Sequence, residues 1–399
     1  MVDFHNEKHY ADMTYTDEQY VKDLKEDCPN ADLPPIIPAQ KRIIVIGDLH
    51  GDYKLTVECL KIAGVVQEGV SDKNGKDNKD VHWTNDKNKQ KTYVVQIGDQ
   101  IDRCRPKHHK CDYPDATLND EHSDIKIMEL LTRLDKEAKK KGGRLISLLG
   151  NHEIMNVNGN MNYVSYLGLE GFKDGFESGM EGRKHAFKRG NKYAKFMACS
   201  RLSAVVIGDM FFVHAGVVPE FTDKMKITGK KDLYKINMLV RKWLLGKVNN
   251  RYVDNIVNSS RYSMFWDREL GGIPPNTDQE ADKCGSHLKP VLDIFKVGHM
   301  FVGHTVQPFT FKDADEGITG TCDNKLWRVD NGASQAFLPF DQTYLGDKKK
   351  SDDRRKAMVL EITNEYDISD ISDESVSDYD KMNKMGKLKT SKAKFKILI

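Results

Sequence analysis

The chain has 399 residues, 39% of them hydrophobic and 31% charged, with a formal net charge of +2. That length can bury a substantial core in one large domain or two ordinary ones, and the composition fits a soluble globular protein with polar loops or tails. Near-neutral charge gives no electrostatic footprint for nucleic acid or an anionic membrane, and no apolar run approaches the ~20 residues needed to span a bilayer.

The first 34 residues are polar, carry no apolar signal core and end at Pro34-Pro35, with Pro38 following. They are expected to form a leader, residues 1–39, that packs at most loosely. From Arg42 onward, short apolar runs alternate with longer helical patterns. RIIVIGD (42–48), TYVVQIGD (92–99), RLISLLGN (144–151), SAVVIGD (203–209), MFFVHAG (210–216), HMFVGH (299–304), KLWRVDN (325–331) and KAMVLEIT (356–363) have the β-branched content and Gly, Asp or Asn ends of strands. Several are apolar on both parities, as strands buried on both faces should be.

Between them, residues 69–91 form a charged, Asn- and Gly-rich loop or hairpin. Residues 123–143 predict a helix: Ser123 can cap it, Ile125, Met128, Leu131 and Leu134 make a stripe, and Gly142 stops it. Residues 160–200 and 230–250 have mostly helical patterns and could cap one end of the sheet. A folded domain over 40–365 would leave a tail, 366–399, that is acidic and Ser-rich and then basic, with the composition of a disordered segment. Seven scattered cysteines do not have the pattern of a disulfide framework, so reduced thiols and a cytoplasmic or nuclear location are the default.

The chemistry gathers at strand ends. The runs close in Gly47-Asp48-Leu49-His50, Gly98-Asp99-Gln100-Ile101-Asp102-Arg103, Gly150-Asn151-His152-Glu153, Val213-His214 and Gly303-His304. In open α/β sheets, ligands collect at the carboxyl edge of the strands. Asp48, His50, Asp99, Asn151, His214 and His304 offer carboxylate, imidazole and amide oxygen without thiolate. That mix suits two divalent ions such as Mn²⁺, Fe²⁺ or Zn²⁺, with Asp99 as the candidate bridge. Each group alone has a bland alternative: a turn for Asp48-Leu49-His50, a helix start for Asn151-His152, a core histidine for His214 or His304. Their joint occurrence at successive strand ends outweighs those alternatives.

In this order, GDLHG, GDQIDR, LLGNHE, VHAG and VGHT resemble the calcineurin-like metallophosphoesterases, in their phosphoprotein phosphatase branch. GDLHGDY, LLGNHEIMNV, FFVHAGVVPEF and KLWRVDNGAS are most similar to the Shewanella-like phosphatases within it. The resemblance implies a four-layer αββα sandwich, two central mixed sheets with a mostly helical cap insertion. It implies one metal held by Asp48, His50 and Asp99, and a second held by Asp99, Asn151, His214 and His304, the ions being Mn²⁺, Fe²⁺/Fe³⁺ or Zn²⁺. His152 would protonate the leaving oxygen, oriented by Asp102, while Arg103 and Arg268 grip the phosphate. Hydrolysis would proceed by direct attack of a hydroxide bridging the two metals.

The departures from the family pattern are Cys104, where the motif usually has glycine, and VHAG in place of HGG. Cys104 would be an oxidation-sensitive thiol near the phosphate. The spacing of CRPKHHKC (104–111) fits no usual zinc pattern, and Asn258-Ser259-Ser260 is only formally a glycosylation acceptor. A phosphorylated protein is the expected substrate, at phosphoserine, phosphothreonine or phosphotyrosine. The runner-up is a dinucleoside polyphosphate or nucleic-acid phosphate on the same two-metal site, with nucleic acid disfavoured by the charge balance. A third reading is a phosphatase-like binding module without catalysis, and a complete set of ligands and acid argues against it. Nothing in the sequence sets the oligomeric state.

Overall fold

A computed structural model describes residues 15–69, 80–84, 91–107, 109–174, 177–258, 260–307, 317–339, 355–364 and 393–399. Two six-stranded sheets form its centre. In one, Arg42–Ile46, Thr92–Gln96, Arg144–Leu148 and Arg201–Leu202 run parallel, and Val359–Asn364 adds antiparallel to Arg42–Ile46. In the other, Met210–Val213, His299–Val302 and Leu326–Arg328 run parallel, with Ala204–Ile207 and Thr319–Thr321 antiparallel on either side. Every expected strand is present; those closing in Gly-Asp, Gly-Asn or a histidine are shorter at the carboxyl end, where those groups turn away, and the last starts later, at Val359–Asn364.

The two-residue period of a strand explains why these runs are apolar on both parities. Ile43, Val45, Val95, Ile146 and Leu148 meet Val205, Ile207, Met210, Phe212 and Phe301 in a core between the sheets. Ile44, Ile46, Val94 and Leu145 face outward against helices Tyr53–Ile62 and Asp124–Lys140. On the second sheet, Val206, Phe211, Val213, Met300 and Val302 pack instead against helices that include Pro219–Met225 and Asp232–Leu244. Helix, sheet, sheet and helix make the four-layer sandwich of the metallophosphoesterases. The expected cap contains helices Gly179–Phe187 and Lys192–Ala198 together with the short hairpin Lys173–Asp174/Glu177–Ser178.

The helix expected over 123–143 spans Asp124–Lys140 with Ser123 at its N-cap position, but the Ser123 hydroxyl makes no cap bond and donates instead to Gly51 O at 2.6 Å. Strands Val66–Glu68 and Val81–Trp83 pair as a hairpin stem, and residues 70–79 and 85–90 between and beyond them lie outside the described residues. Ser259 of the formal glycosylation triplet also lies outside them. No described helix is long and apolar enough to cross a membrane.

Three expectations need correction. The leader is not loose from Tyr15 onward: helix Asp17–Asp27 puts Tyr20 and Leu24, one turn apart, into the core between the sheets. Tyr20 donates to Leu33 O at 2.8 Å and accepts from Arg241 at 3.1 Å, and the Asp27 carboxylate meets both Lys242 and Lys247 at 2.6 Å. A narrow apolar stripe in an otherwise polar segment is enough to dock a helix. Nor is the tail wholly outside the fold. Residues 365–392 are not described, but Ala393–Leu398 pairs antiparallel along Val359–Asn364, and its alternation turns Ala393, Phe395 and Ile397 to the core. The cysteines are not all reduced either: Cys28–Cys199, Cys104–Cys111 and Cys284–Cys322 are bonded, leaving Cys59 free and buried. Pairs 171 and 38 residues apart give no local signal in the sequence.

If the amino-terminal helix is structural, Leu24→Ala will lower unfolding free energy by ~2–5 kcal/mol. Val21→Ala, at a position 46% exposed, will change it by less than about 0.5 kcal/mol. Urea denaturation of both variants measures the difference, and equal small effects would return the segment to a loose leader.

Candidate metal centre and active site

Parallel register brings the site together. Asp48, Asp99 and Asn151 follow three adjacent parallel strands of the first sheet. His214, His304 and Asp330 follow three of the second. Both sheets end at the same edge, and the His304 backbone N–H donates to Asp48 Oδ2 at 3.1 Å, tying one sheet to the other. His50 Nε2 lies 3.8 Å from both Asp48 Oδ2 and Asp99 Oδ2. His214 Nε2 is 3.4 Å from Asp99 Oδ2 and 2.9 Å from Asn151 Oδ1, which also sits 2.9 Å from His304 Nδ1. Asp99 is therefore the carboxylate common to both halves.

Local backbone geometry aims these groups. His50, Asp99, Asp102 and His304 have φ of 44°, 53°, 74° and 64°, the left-handed region that non-glycine residues rarely adopt. Such conformations persist where surrounding contacts over-determine them, and here they cluster at the site. Glycine is required at 150 and 303 because the carboxylates press on the chain. A Cβ on Gly150 would lie 2.1 Å from Asp99 Oδ1, and one on Gly303 would lie 2.3 Å from Asp48 Oδ1. The Nδ1 atoms of His50 and His214 face the carbonyl oxygens of Ile101 and Ile97 at 3.3 and 3.0 Å, leaving each Nε2 turned inward. That backbone partner is the usual support of a metal-ligating imidazole.

These residues fit divalent cations. Asp48 Oδ1 and His304 Nε2 are buried without a hydrogen-bond partner among the described residues, and two trios of donor atoms, His50/Asp99/His152 and Asp99/His214/His304, each lie within 4.8 Å of one another. Burial, with Asp330 and Asp99 nearby, pushes the Asp48 carboxyl well above its ordinary range. Burial holds His50 and His304 well below theirs, in the neutral form that can ligate. Burial opposes ionisation of Asp99, but His214 and His152 outweigh it and the carboxyl ends well below its usual value. A dry edge with this many carboxylates calls for cationic charge to offset their desolvation.

His152 faces the same space with a different partner. Its Nδ1 is 2.8 Å from Asp102 Oδ2, and its Nε2 is 3.9 Å from Asp99 Oδ2. Asp102 is itself held by Asn156, whose amide donates to both carboxylate oxygens at 2.9 and 3.0 Å. Arg183, fully buried on the cap helix, donates to Asn156 at 2.9 Å, reaches Asp102 at 3.4 Å and pairs with Asp124 at 2.8 Å. The cap thus reaches down to the carboxylate behind His152. Arg183 lies in none of the quoted motifs, and Asn156, though inside LLGNHEIMNV, sits a helical turn beyond the strand end and has no role legible there.

Glu153 was legible as a residue but not as a part of the site. It accepts from the backbone N–H groups of Gly150, Asp99 and Gln100 at 2.6, 3.0 and 2.8 Å, which stitches the second and third strand ends together. Burial and the Asp99 charge push its carboxyl up to about 7. The available signal was a glutamate at the third helix position, where a side chain reaches back over the helix start.

The two expected phosphate arginines differ. Arg268 is exposed and donates to His304 O at 3.3 Å, at the border of the site. All three nitrogens of Arg103 are already engaged: Nε and Nη2 with Asn119 O, Nη2 with Gln335, and Nη1 with Gly51 O and the Glu121 and Asp52 carboxylates. An expected grip on phosphate would require surrendering those bonds. Cys104, expected as an oxidisable thiol, is buried in its bond to Cys111 and offers no thiolate for oxidation or zinc.

The fold and the site define a class. Residues 41–308 match the calcineurin-like phosphoesterase family, and the chain belongs to it. It is a hydrolase acting on phosphoric monoesters, and its family implies divalent metal ions. Shewanella-like protein phosphatase 2 of Arabidopsis thaliana is 29% identical over 334 residues, covering 74% of this chain and 72% of that protein. An uncharacterized protein of Acanthamoeba polyphaga mimivirus is 42% identical over 249 residues, covering 58% of this chain and 93% of the relative. The fold is shared with a cold-active protein-tyrosine phosphatase of a psychrophilic Shewanella, with a TM-score of 0.53 at 19% identity, covering 84% of this chain and 78% of that one.

Arg183→Met removes the cation that the buried Asp102 and Asp124 carboxylates share. We expect a loss of ~3–5 kcal/mol in unfolding free energy, as when one partner of a buried pair is deleted. Chemical denaturation at neutral pH tests this, and a change below about 1 kcal/mol would mean that the network is not carrying the cap.

Proposed function

We propose that this chain is a protein phosphatase that uses two divalent ions, with His152 as general acid. The observation that carries the reading is the His152–Asp102 contact at 2.8 Å beside the convergent cluster around Asp99. In this reading Asp48, His50 and Asp99 hold one ion, and Asp99, Asn151, His214 and His304 hold the other. Bound there, the ions would polarise a phosphoryl oxygen and acidify a water molecule. His152 Nε2 delivers a proton to the departing alcohol oxygen, while Asp102 keeps the other ring nitrogen protonated and the ring in place. Asn156 and Arg183 hold Asp102 against rotation. Arg268 contributes its guanidinium to the phosphate. Likeness to the Shewanella-like protein phosphatases supports a phosphoprotein substrate.

The test uses metal-stripped protein restored with Mn²⁺, assayed on phosphoserine, phosphothreonine and phosphotyrosine peptides and on a diadenosine polyphosphate. Peptide turnover that disappears in Asp99→Asn is the expected result. Activity confined to the dinucleotide would keep the site and reject the protein substrate. His152→Asn should lower kcat on phosphoserine peptide by ~10²–10⁴. The loss should be far smaller on p-nitrophenyl phosphate, whose leaving group needs little protonation. Equal losses on both substrates would remove His152 from the acid role.

A further inference from the structure

The resemblance of GDQIDR to its family motif assigns the substrate phosphate to Arg103, and the guanidinium stands beside the centre. Nη1 donates to Gly51 O at 3.1 Å, one residue beyond His50, and Asp102, one residue before Arg103, holds His152. Its other donors meet acceptors of two kinds. Asn119 O, a backbone carbonyl, takes Nε at 3.2 Å and Nη2 at 2.9 Å. Glu121 Oε1 and Gln335 Oε1 are the ends of side chains, 2.9 Å from Nη1 and 3.4 Å from Nη2. A carboxylate and an amide oxygen thus occupy the two terminal nitrogens with which a guanidinium grips two oxygens of one phosphate.

We propose that Glu121 is a built-in competitor of the substrate phosphate: its carboxylate holds the Arg103 fork closed, and phosphate binds by displacing it. This rests on the phosphatase reading given above. Glu121 combines an ionic contact at hydrogen-bond distance with a way out. Its side chain is 35% exposed and can rotate into water. Asp52, 3.5 Å from Nη1, is 4% exposed and is committed to capping helix Tyr53–Ile62 through Leu55 N–H. Gln335 is neutral and also accepts from Asn119. A carboxylate presents arginine with the paired anionic oxygens that phosphate presents, but a phosphoryl ester carries more charge, about −1.5 to −2, and wins the exchange.

The chain that carries Glu121 is fixed, so only the side chain has to move. The Cys104–Cys111 bond ties the start of this segment. Near its end, Asp120 accepts from Leu167 N–H of helix Tyr166–Glu170 at 2.8 Å and from Glu121 N–H at 2.8 Å. Glu121 Oε1 also accepts from Tyr53 N–H at 3.1 Å. Burial raises the Glu121 carboxyl although Arg103 and that N–H favour its charged form, so the ion is incompletely compensated where it sits. Ion pairs with an exposed partner are worth little, so opening this one costs little. A site whose competent form is only partly populated binds more weakly by that fraction, which is how Glu121 would set the affinity for phosphate. Two simpler roles would put a glutamate in the same place: an anchor that keeps Arg103 aligned, and a bare negative charge that repels any anion.

Inorganic phosphate is titrated by calorimetry into the Mn²⁺-loaded full chain and into Glu121→Gln, Arg103→Gln and the double variant, with the Tm of each as the folding control. Glu121→Gln keeps an oxygen for Tyr53 N–H. Competition predicts phosphate binding about 3- to 10-fold tighter in Glu121→Gln, with KM for the hydrolysed phosphopeptide lowered by a similar factor. Arg103→Gln should bind phosphate more weakly than the parent, and adding Glu121→Gln to it should restore nothing, because no fork is left to release. Weaker binding in Glu121→Gln would make the residue an anchor, and an equal gain with and without Arg103 would make it a through-space charge. Either result overturns the proposal, as does unchanged affinity in a folded Glu121→Gln or in a folded Arg103→Gln. A parent that neither binds phosphate nor hydrolyses any ester would remove the phosphatase reading first, and this inference with it.

Discussion

Desolvated negative charge at one edge of two sheets is the constraint on which the rest of this structure depends. Asp48, Asp99, Asp102, Glu153 and Asp330 are all buried there, and Asp99 converges with four imidazoles. Carboxylates in a dry interior are tolerated only when donors or cations surround them. The structure meets this demand differently at each residue. Glu153 takes three backbone N–H groups, Asp102 takes Asn156, His152 and Arg183, and Asp99 is surrounded by His50, His152 and His214. Asp48 keeps one oxygen without a hydrogen-bond partner among the described residues, open to a cation.

The same constraint accounts for the unusual backbone. Side chains that must converge on a small volume from six strand ends cannot all project along regular dihedrals. The chain therefore turns through the left-handed region at His50, Asp99, Asp102 and His304, and uses glycine at 150 and 303, where a side chain would strike a carboxylate. The strain is local and the support is global. It is borne by the paired sheets beneath and by a cap whose Arg183 reaches the Asp102 carboxylate. Elements that look peripheral in the sequence share this load: the amino-terminal helix fills the core between the sheets through Tyr20 and Leu24, and Ala393–Leu398 covers one edge of the first sheet.

Much of this was legible from residues alone. Eight strands announced themselves by short β-branched runs ending in Gly-Asp, Gly-Asn or a histidine, and the helix over 124–140 by its stripe. The six candidate ligands and His152 were legible because each ends a run or follows one directly. What escaped had no such address. Arg183 and Asn156 act from helices, Glu153 acts through backbone N–H groups, and Tyr20 and Leu24 sit in a segment whose average polarity hides a single buried face. Two of the three disulfides were missed because pairing across 171 or 38 residues is a property of the folded chain.

Sequence alone determined which chemistry this chain carries, since oxygen, amide and imidazole donors in that order at successive strand ends specify a metallophosphoesterase. Periodicity likewise determined the alternation of strands and helices, because burial on both faces leaves no polar parity in a strand. Tertiary structure decided which groups are spent and which are in reserve. A side chain's available donors depend on the carbonyls and carboxylates that packing brings beside it, and for Arg103 those come from Asn119, Glu121 and Gln335.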